Sequence, residues 1–275
     1  MGKIAQQNTL KELLDFFKKI ENSPNFYRDV SLSPDKSKAR PVKVLGKNSD
    51  IDNVREDLIE WGGTYVFPTA GGIRMSIQST SANDALAGTG VQRTELYYLD
   101  NGFVERDEEI SLDGLNPVQT VASDILRVIG FHSIAAGTGA VADGTITCKN
   151  VAQTVTYSQI TAGVNTALVG VFTVPKGYYY EIDGWDVGAG NPTGGRWAEF
   201  LLRATAHDDE GLIEYLSGVF HIWDLKASQD ASFYKPFKYP IILPEKTDIK
   251  ISASSDAANA DASCCAMIDG ALFKM

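Results

Sequence analysis

The chain is poor in the residues that most often carry chemistry. Among 275 residues there are three histidines and three cysteines. His132, His207 and His221 stand in no H-x-H or H-E-x-x-H spacing, so no paired zinc ligands are encoded. The cysteines are odd in number, and Cys264 and Cys265 are neighbours. That makes no disulfide framework and lacks the C-x-x-C spacing that brings two thiolates to one tetrahedral ion. All three read as buried small apolar residues of a chain made in a reducing cytoplasm. No run of about 18 apolar residues occurs, so no membrane-spanning helix is expected. "MGKIAQQNTLKELLDFF" lacks an apolar core with a small-residue cleavage site and reads as no secretory signal, and Gln6 stands where myristoylation of Gly2 wants Ser or Thr. G-K-[ST] and G-x-S-x-G are both missing.

What the chain has is acid, glycine and short apolar runs. Net charge is −10, but it is divided: residues 1–50 hold ten Lys/Arg against six Asp/Glu, and the rest hold 15 against 29. An acidic body repels phosphates, so nucleic acid is not an expected partner. A basic arm on an acidic body suits docking on another acidic protein surface.

"NTLKELLDFFKKIEN" predicts a helix. Thr9 and Glu12 have capping-box spacing, and Leu10, Leu13, Leu14 and Phe17 form an apolar stripe at i, i+3, i+4, i+7. One such helix must dock its stripe on something. Residues 22–50 read as a linker, with prolines, serines and the basic stretch that carries Lys36, Lys38, Arg40 and Lys43.

From residue 51 the pattern changes to short runs bounded by Gly, Pro, Asn and Asp, which predicts strands. Ile73, Met75 and Ile77 alternate with polar residues. Asp100-Asn101-Gly102 predicts a hairpin turn with positive φ at Asn101 and Gly102, Asp143-Gly144 a second turn, and Pro175-Lys176-Gly177 a third. Further strands are expected over "ALVGVFTV", "YYYEIDGWDV", "GRWAEFLLRATA", "YLSGVFHIWDL", "ASFYKPFKYPIIL", "TDIKISASS" and "ASCCAMIDGALFKM". Prolines 236, 240 and 244 suit an edge strand. The expected fold is mainly β: residues 1–50 an N-terminal helix and basic arm, 51–152 a first β-sandwich domain, and 153–275 a second sandwich for which a jelly roll is one option.

Two Gly-Thr-Gly segments, 88–90 and 137–139, invite a phosphate-binding reading. A phosphate loop must open a helix, and "VQRTELYYL" after Gly90 is strand-like. Both segments therefore read as loops or bulges in which glycine supplies positive φ. "AHDDEGL", with His207, Asp208, Asp209 and Glu210, has carboxylates for a divalent ion but lacks the alternating pattern of a calcium loop, and reads as a polar loop. Asp107, Glu108 and Glu109 alternate across a strand and cannot share a substrate. No catalytic constellation, metal site or cofactor site emerges. "GAGNPTGGRW", with Trp185, Asn191, Arg196 and Trp197 around it, has the make-up of an exposed binding loop, which keeps a glycan- or receptor-binding module as the alternative.

The run from Ser81 to Gly90, then Leu99 to Gly102, then Leu112 to Gly114, resembles the β-rich segment of virion structural proteins of tailed bacteriophages. "TVPKG" and "PEKTDI" resemble a recurring C-terminal β-domain of the same proteins. The likeness spans roughly residues 61–275 and omits the arm. It implies a non-enzymatic building block of the particle, made in the host cytoplasm and placed on capsid, neck or tail surface. Its partners would be identical copies of itself and the major capsid, portal or tail protein. In this reading the arm, through Leu10, Leu13, Leu14, Phe17, Lys36, Lys38, Arg40 and Lys43, docks on the particle.

Overall fold

The computed structural model describes residues 38–190, 197–207, 221–228, 231–256 and 262–275. The expected helix over 9–22 lies outside them. Among the described residues there are sixteen strands and no helix, so the mainly-β expectation holds.

The strands are β1 (Ala39–Ile51), β2 (Glu56–Asp57), β3 (Met75–Ser79), β4 (Val91–Leu99), β5 (Glu105–Ser111), β6 (Val118–Gln119), β7 (Arg127–Ala136), β8 (Ile146–Asn150), β9 (Thr156–Ile160), β10 (Val171–Thr173), β11 (Tyr178–Gly190), β12 (Ala198–Ala206), β13 (His221–Ser228), β14 (Ala231–Leu243), β15 (Thr247–Ser255) and β16 (Ala262–Lys274). They form four sheets in the orders β1-β16-β11-β14, β10-β15-β12-β13 with β2 added to β15, β6-β3-β8-β9, and β5-β4-β7.

Two apolar cores follow from alternation along these strands. One gathers Met75 and Ile77 of β3, Leu96 of β4, Phe131 of β7, Ile146 of β8 and Ile160 of β9. The other gathers Val44 of β1, Tyr180, Ile182 and Trp185 of β11, Phe200 of β12, Ile249 and Ile251 of β15 and Ile268 of β16. Each core thus draws its side chains from two sheets.

Two segments lie where the sequence did not lead. Residues 39–51, expected as the end of a basic linker, are a strand that pairs with β16 from Ala39↔Phe273 to Ile51↔Ala262. Val42, Val44 and Ile51 alternate weakly among lysines and glycine, and the partner strand supplies what the segment's own pattern lacks. Residues 156–160, placed beyond the 152/153 boundary, pair with β8, and Tyr157 and Ile160 enter the first core. The first core is therefore built from a stretch of chain that leaves the second core after β2 and Leu58 and returns to it at β10.

Turns are met in part. Gly177, with φ of 80°, closes the Pro175 turn, and the Tyr178 N–H donates to the Pro175 carbonyl. At Asp100 the hairpin forms but the left-handed residue is Phe103, with φ of 61°. The Asp100 carboxylate accepts from the N–H groups of Gly102 and Val104, which sets a longer loop than the Asn-Gly pair implies.

Candidate functional site

The most elaborate polar arrangement lies where the two cores meet. Asp248 on β15 is buried, and burial alone would raise its pKa. Hydrogen bonds from His207 and Arg127, the Arg127 charge and a hydrogen bond from Thr173 overcome that and hold it below the ordinary carboxylate range. Arg127 on β7 donates from Nε to Oδ1 at 2.9 Å and from Nη2 to Oδ2 at 2.9 Å. Thr173 of β10 donates to Oδ1 at 2.5 Å, and His207 Nε2 lies 2.7 Å from Oδ2. The guanidinium carbon sits 4.3 Å from the Phe67 ring centre and 5.6 Å from that of Phe103. A planar fork suits both tasks, a two-point ion pair and a flat aromatic contact.

A second knot adjoins it. Asp57 on β2 accepts from Arg203 at 2.7 Å and Ser252 at 2.6 Å on one oxygen, and from the Tyr65 N–H at 2.9 Å and Lys250 Nζ at 3.1 Å on the other. Lys250 also donates to the Tyr65 carbonyl at 2.7 Å. β15 alternates here, so Asp248, Lys250 and Ser252 leave the second core on one face and meet Tyr65, Phe67 and Arg127 of the first. Every carboxylate oxygen in the two knots is satisfied, which is the condition for burying charge without loss. The arrangement fixes the orientation of one core on the other.

A third carboxylate organises the motif that begins at Ser81. Asp84 is fully buried. Its Oδ1 accepts from the N–H groups of Val91 at 2.8 Å and Asp143 at 3.0 Å, and its Oδ2 from Ser79 Oγ at 2.6 Å and the Gly144 N–H at 2.8 Å. A Cβ at Gly90 would stand 2.2 Å from that Oδ1, and one at Gly88 2.0 Å from the Asn83 carbonyl. Gly88, Gly137 and Gly139 thus admit neighbouring backbone, and Gly90 admits the Asp84 carboxylate. Positive φ, the reason expected from sequence, is found at none of the four. Strand β4 follows Gly90, as the loop reading requires.

The expected site residues fare unequally. Leu10, Leu13, Leu14, Phe17, Lys36, Asn191 and Arg196 lie outside the described residues. Lys38 immediately precedes β1, which carries Arg40 and Lys43. Arg40 pairs with Glu105 and lies over Tyr178; Lys43 pairs with Asp269 at 3.1 Å. These two are strand residues with partners in their own chain, which corrects their place in a free linker. Trp185 is fully buried in the second core, so it is no part of a surface loop: its position on β11 shares the inward face of Val187 and Ile182. Trp197, 45% exposed, stands just before β12.

Of the cysteines, Cys148 and Cys264 are buried and Cys265 is exposed, against the expectation that all three are buried. Burial, with the neighbouring Cys265 adding to it, pushes the Cys264 thiol up to about 12. His132 stacks on Tyr97 and lies 3.2 Å from Glu95. His207 belongs to the Asp248 knot, while Asp208, Asp209 and Glu210 lie outside the described residues. No group of three or more His, Cys, Asp and Glu that could hold a metal ion occurs among the described residues.

Sequence reasoning missed the knots. The paired residues are far apart in the chain: Arg127 and Asp248 by 121 positions, Asp57 and Lys250 by 193. The visible signal was "DIKIS", where charged residues alternate with isoleucines in a stretch that reads as half-exposed but is buried on both faces.

No protein-family model matches the chain, and no curated protein matches it. Among solved structures it is similar to a structure of the Gt strain of infectious bursal disease virus, with 8% identity over 93% of this chain and 78% of that one at a TM-score of 0.23. It is also similar to the VP2 subviral particle of the same virus, with 10% identity over 86% and 72% at a TM-score of 0.22. Likeness this slight carries no argument about fold or function, which must rest on the chain's own geometry.

Proposed function

We propose that this chain is a non-enzymatic structural component of a virus particle, of the tailed-phage kind its sequence resembles. It assembles with identical copies and is anchored to capsid, neck or tail by its N-terminal segment. The observation that carries the reading is strand order. In chain order, the eight strands of the second core are β1, β10, β11, β12, β13, β14, β15 and β16. The first, eighth, third and sixth make one sheet, and the second, seventh, fourth and fifth make the other. We read these two sheets, the second widened by the short β2 on β15, as a jelly roll, an architecture used by capsid and lectin domains. We read the first core as a second sandwich inserted between the first two strands of the roll.

Fold alone does not fix function. The sequence resemblance selects the virion among jelly-roll uses. The chain ends give further support. Ala39 faces Phe273, and the Lys274 N–H donates to the Lys38 carbonyl, so Lys38, the first described residue, lies beside Lys274 at one end of the roll. The last residue of β11 lies at the other end, since Gly190 faces Ser263 near the start of β16. Such polarity suits a body held at one end and displayed at the other. The glycan-binding reading ranks second, because Trp197 is the one expected aromatic still available to it.

The test is direct. An antibody raised against the purified chain should label particles from the cells that produce it, and the chain should appear in their mass spectra at a fixed ratio to the shell protein. Recovery only in the soluble fraction, away from particles, overturns the proposal.

A further inference from the structure

Lys250 Nζ stands 3.1 Å from Oδ2 of Asp57, and the two side chains are 6% and 1% exposed. An amine and a carboxyl held so are the two halves of an amide. In water they remain separate ions, because solvation stabilises both charges and an excess of water favours hydrolysis. Here water is kept out. Tyr65 is buried beside the pair, and the rings of Tyr65 and Phe67 have their centres 5.8 and 5.1 Å from Nζ. Groups fixed in contact in this way react with effective molarities that reach about 10⁵–10⁸ M.

The other contacts of the pair suit the addition of nitrogen to Cγ. Charge then gathers on Oδ1, which accepts from Arg203 Nη2 at 2.7 Å and from Ser252 Oγ at 2.6 Å. A cation and a hydroxyl placed in advance on that oxygen form an oxyanion hole. The backbone of Tyr65 orients the other atoms. Its carbonyl accepts from Nζ at 2.7 Å, and its N–H donates to Oδ2 at 2.9 Å. Strand register holds the parts together. Ser252 faces Asp57 across the β15–β2 pairing, and Lys250 shares the face of Ser252 on β15.

We propose that Lys250 and Asp57 condense to an intrachain isopeptide bond. Nζ passes one proton to Oδ2 along their hydrogen bond and adds to Cγ as a free amine. The Nζ–Cγ bond forms, and the charge that develops on Oδ1 meets Arg203 and Ser252. The Cγ–Oδ2 bond then breaks, and Oδ2 takes a second proton from the nitrogen and leaves as water. One ammonium and one carboxylate become one amide and one water. Nothing is oxidised, and no co-reactant is consumed. The bond closes residues 57–250 into a covalent ring that contains β3 to β9, the strands of the first core. The inference goes beyond the virion reading and is independent of it, because the reaction takes place within one chain.

The test uses the full chain, held at neutral pH until its mass is constant. Mass spectrometry under denaturing conditions should read one water less than the sequence requires. Trypsin should release peptide 56–74 joined to peptide 247–274, uncut after Lys250. An Asp-Gly step such as Asp143-Gly144 loses the same mass when it closes to a succinimide. Hydroxylamine opens a succinimide and leaves an isopeptide intact. Lys250→Arg keeps the cation and should read its full sequence mass. Full mass in the wild-type chain, or separate peptides 56–74 and 247–250, overturns the proposal and leaves the two residues an ion pair. A loss of water that survives hydroxylamine in Lys250→Arg also overturns it. No particle enters the experiment, so failure here leaves the virion reading to its own test.

Discussion

Arg127 and Asp248, one from each core, meet through two hydrogen bonds of 2.9 Å and are both buried. They are the point at which the two cores are held in one orientation. Removing either partner strands the other's charge, so Arg127→Ala should lower the free energy of unfolding by about 3–5 kcal/mol. Urea denaturation followed by tryptophan fluorescence measures this. The double variant Arg127→Met, Asp248→Leu should recover much of the loss, since no charge is then left unpaired.

Acid should act on the same pair. The folded pKa of Asp248 lies below its unfolded value, so the stabilisation is fully present above the unfolded pKa, about 4. It is lost as pH falls through the folded value. Urea midpoints measured from pH 7 to pH 2 should drop steeply below about pH 4 in the wild type. In Asp248→Asn the drop should be shallower, from a lower starting point.

Asp84 should be as costly to remove. Asp84→Ala leaves the buried N–H groups of Val91 and Gly144, the half-buried N–H of Asp143 and the Ser79 hydroxyl without their acceptor, at about 1–3 kcal/mol for each buried group before relaxation. A total loss of at least about 3 kcal/mol is expected in the same denaturation experiment. Gly90→Ala should be nearly as severe, because its Cβ would fall 2.2 Å from the Asp84 carboxylate.

Truncation should show a sharp boundary. A chain beginning at residue 38 keeps all of β1 and should give the strand-rich circular dichroism and cooperative melting of the full chain. One beginning at residue 49 loses the pairs from Ala39↔Phe273 to Asn48↔Cys264 and exposes β16 as an edge. It should be insoluble or unfolded.

Lys246 has φ of 60° in the turn before β15. A non-glycine residue held there costs about 1–2 kcal/mol. Lys246→Gly should raise stability by about 0.5–1 kcal/mol, the gain being reduced by glycine's greater freedom when unfolded.

The sequence revealed what local pattern can reveal. Strands β3, β4, β11, β12, β15 and β16 were visible because branched and aromatic residues alternate or cluster between turn residues. Pro236 and Pro240 announced an edge, and β14 is one. The first strand was hidden, because "ARPVKVLGKNSDI" mixes basic residues with a weak apolar alternation, and its place depends on a partner more than 200 residues away. Gly46 in that strand would have been unreadable in any case: its lack of a side chain matters because Gly170 and Leu58 pack against it. The knots were hidden for the same reason. Asp57, Arg127, Arg203, Asp248 and Lys250 look like ordinary surface charges one at a time, and only tertiary pairing reveals them as buried. Trp185 was misjudged because a glycine-rich stretch after it suggested a loop, and because a bulge between Ile182 and Gly184, which alternation does not reveal, turns it inward.

The antiparallel union of β1 and β16 also decides how the molecule bears force. A tether attached ahead of Lys38 pulls along β1, whose ten consecutive partners from Ala39 to Asn48 lie on the one neighbour, β16. If drag acts at the far tip of the roll, those rungs are loaded together in shear and none can fail alone. The inserted core hangs from the other end of β1, so tension along the covalent chain reaches it only after that ladder has given way.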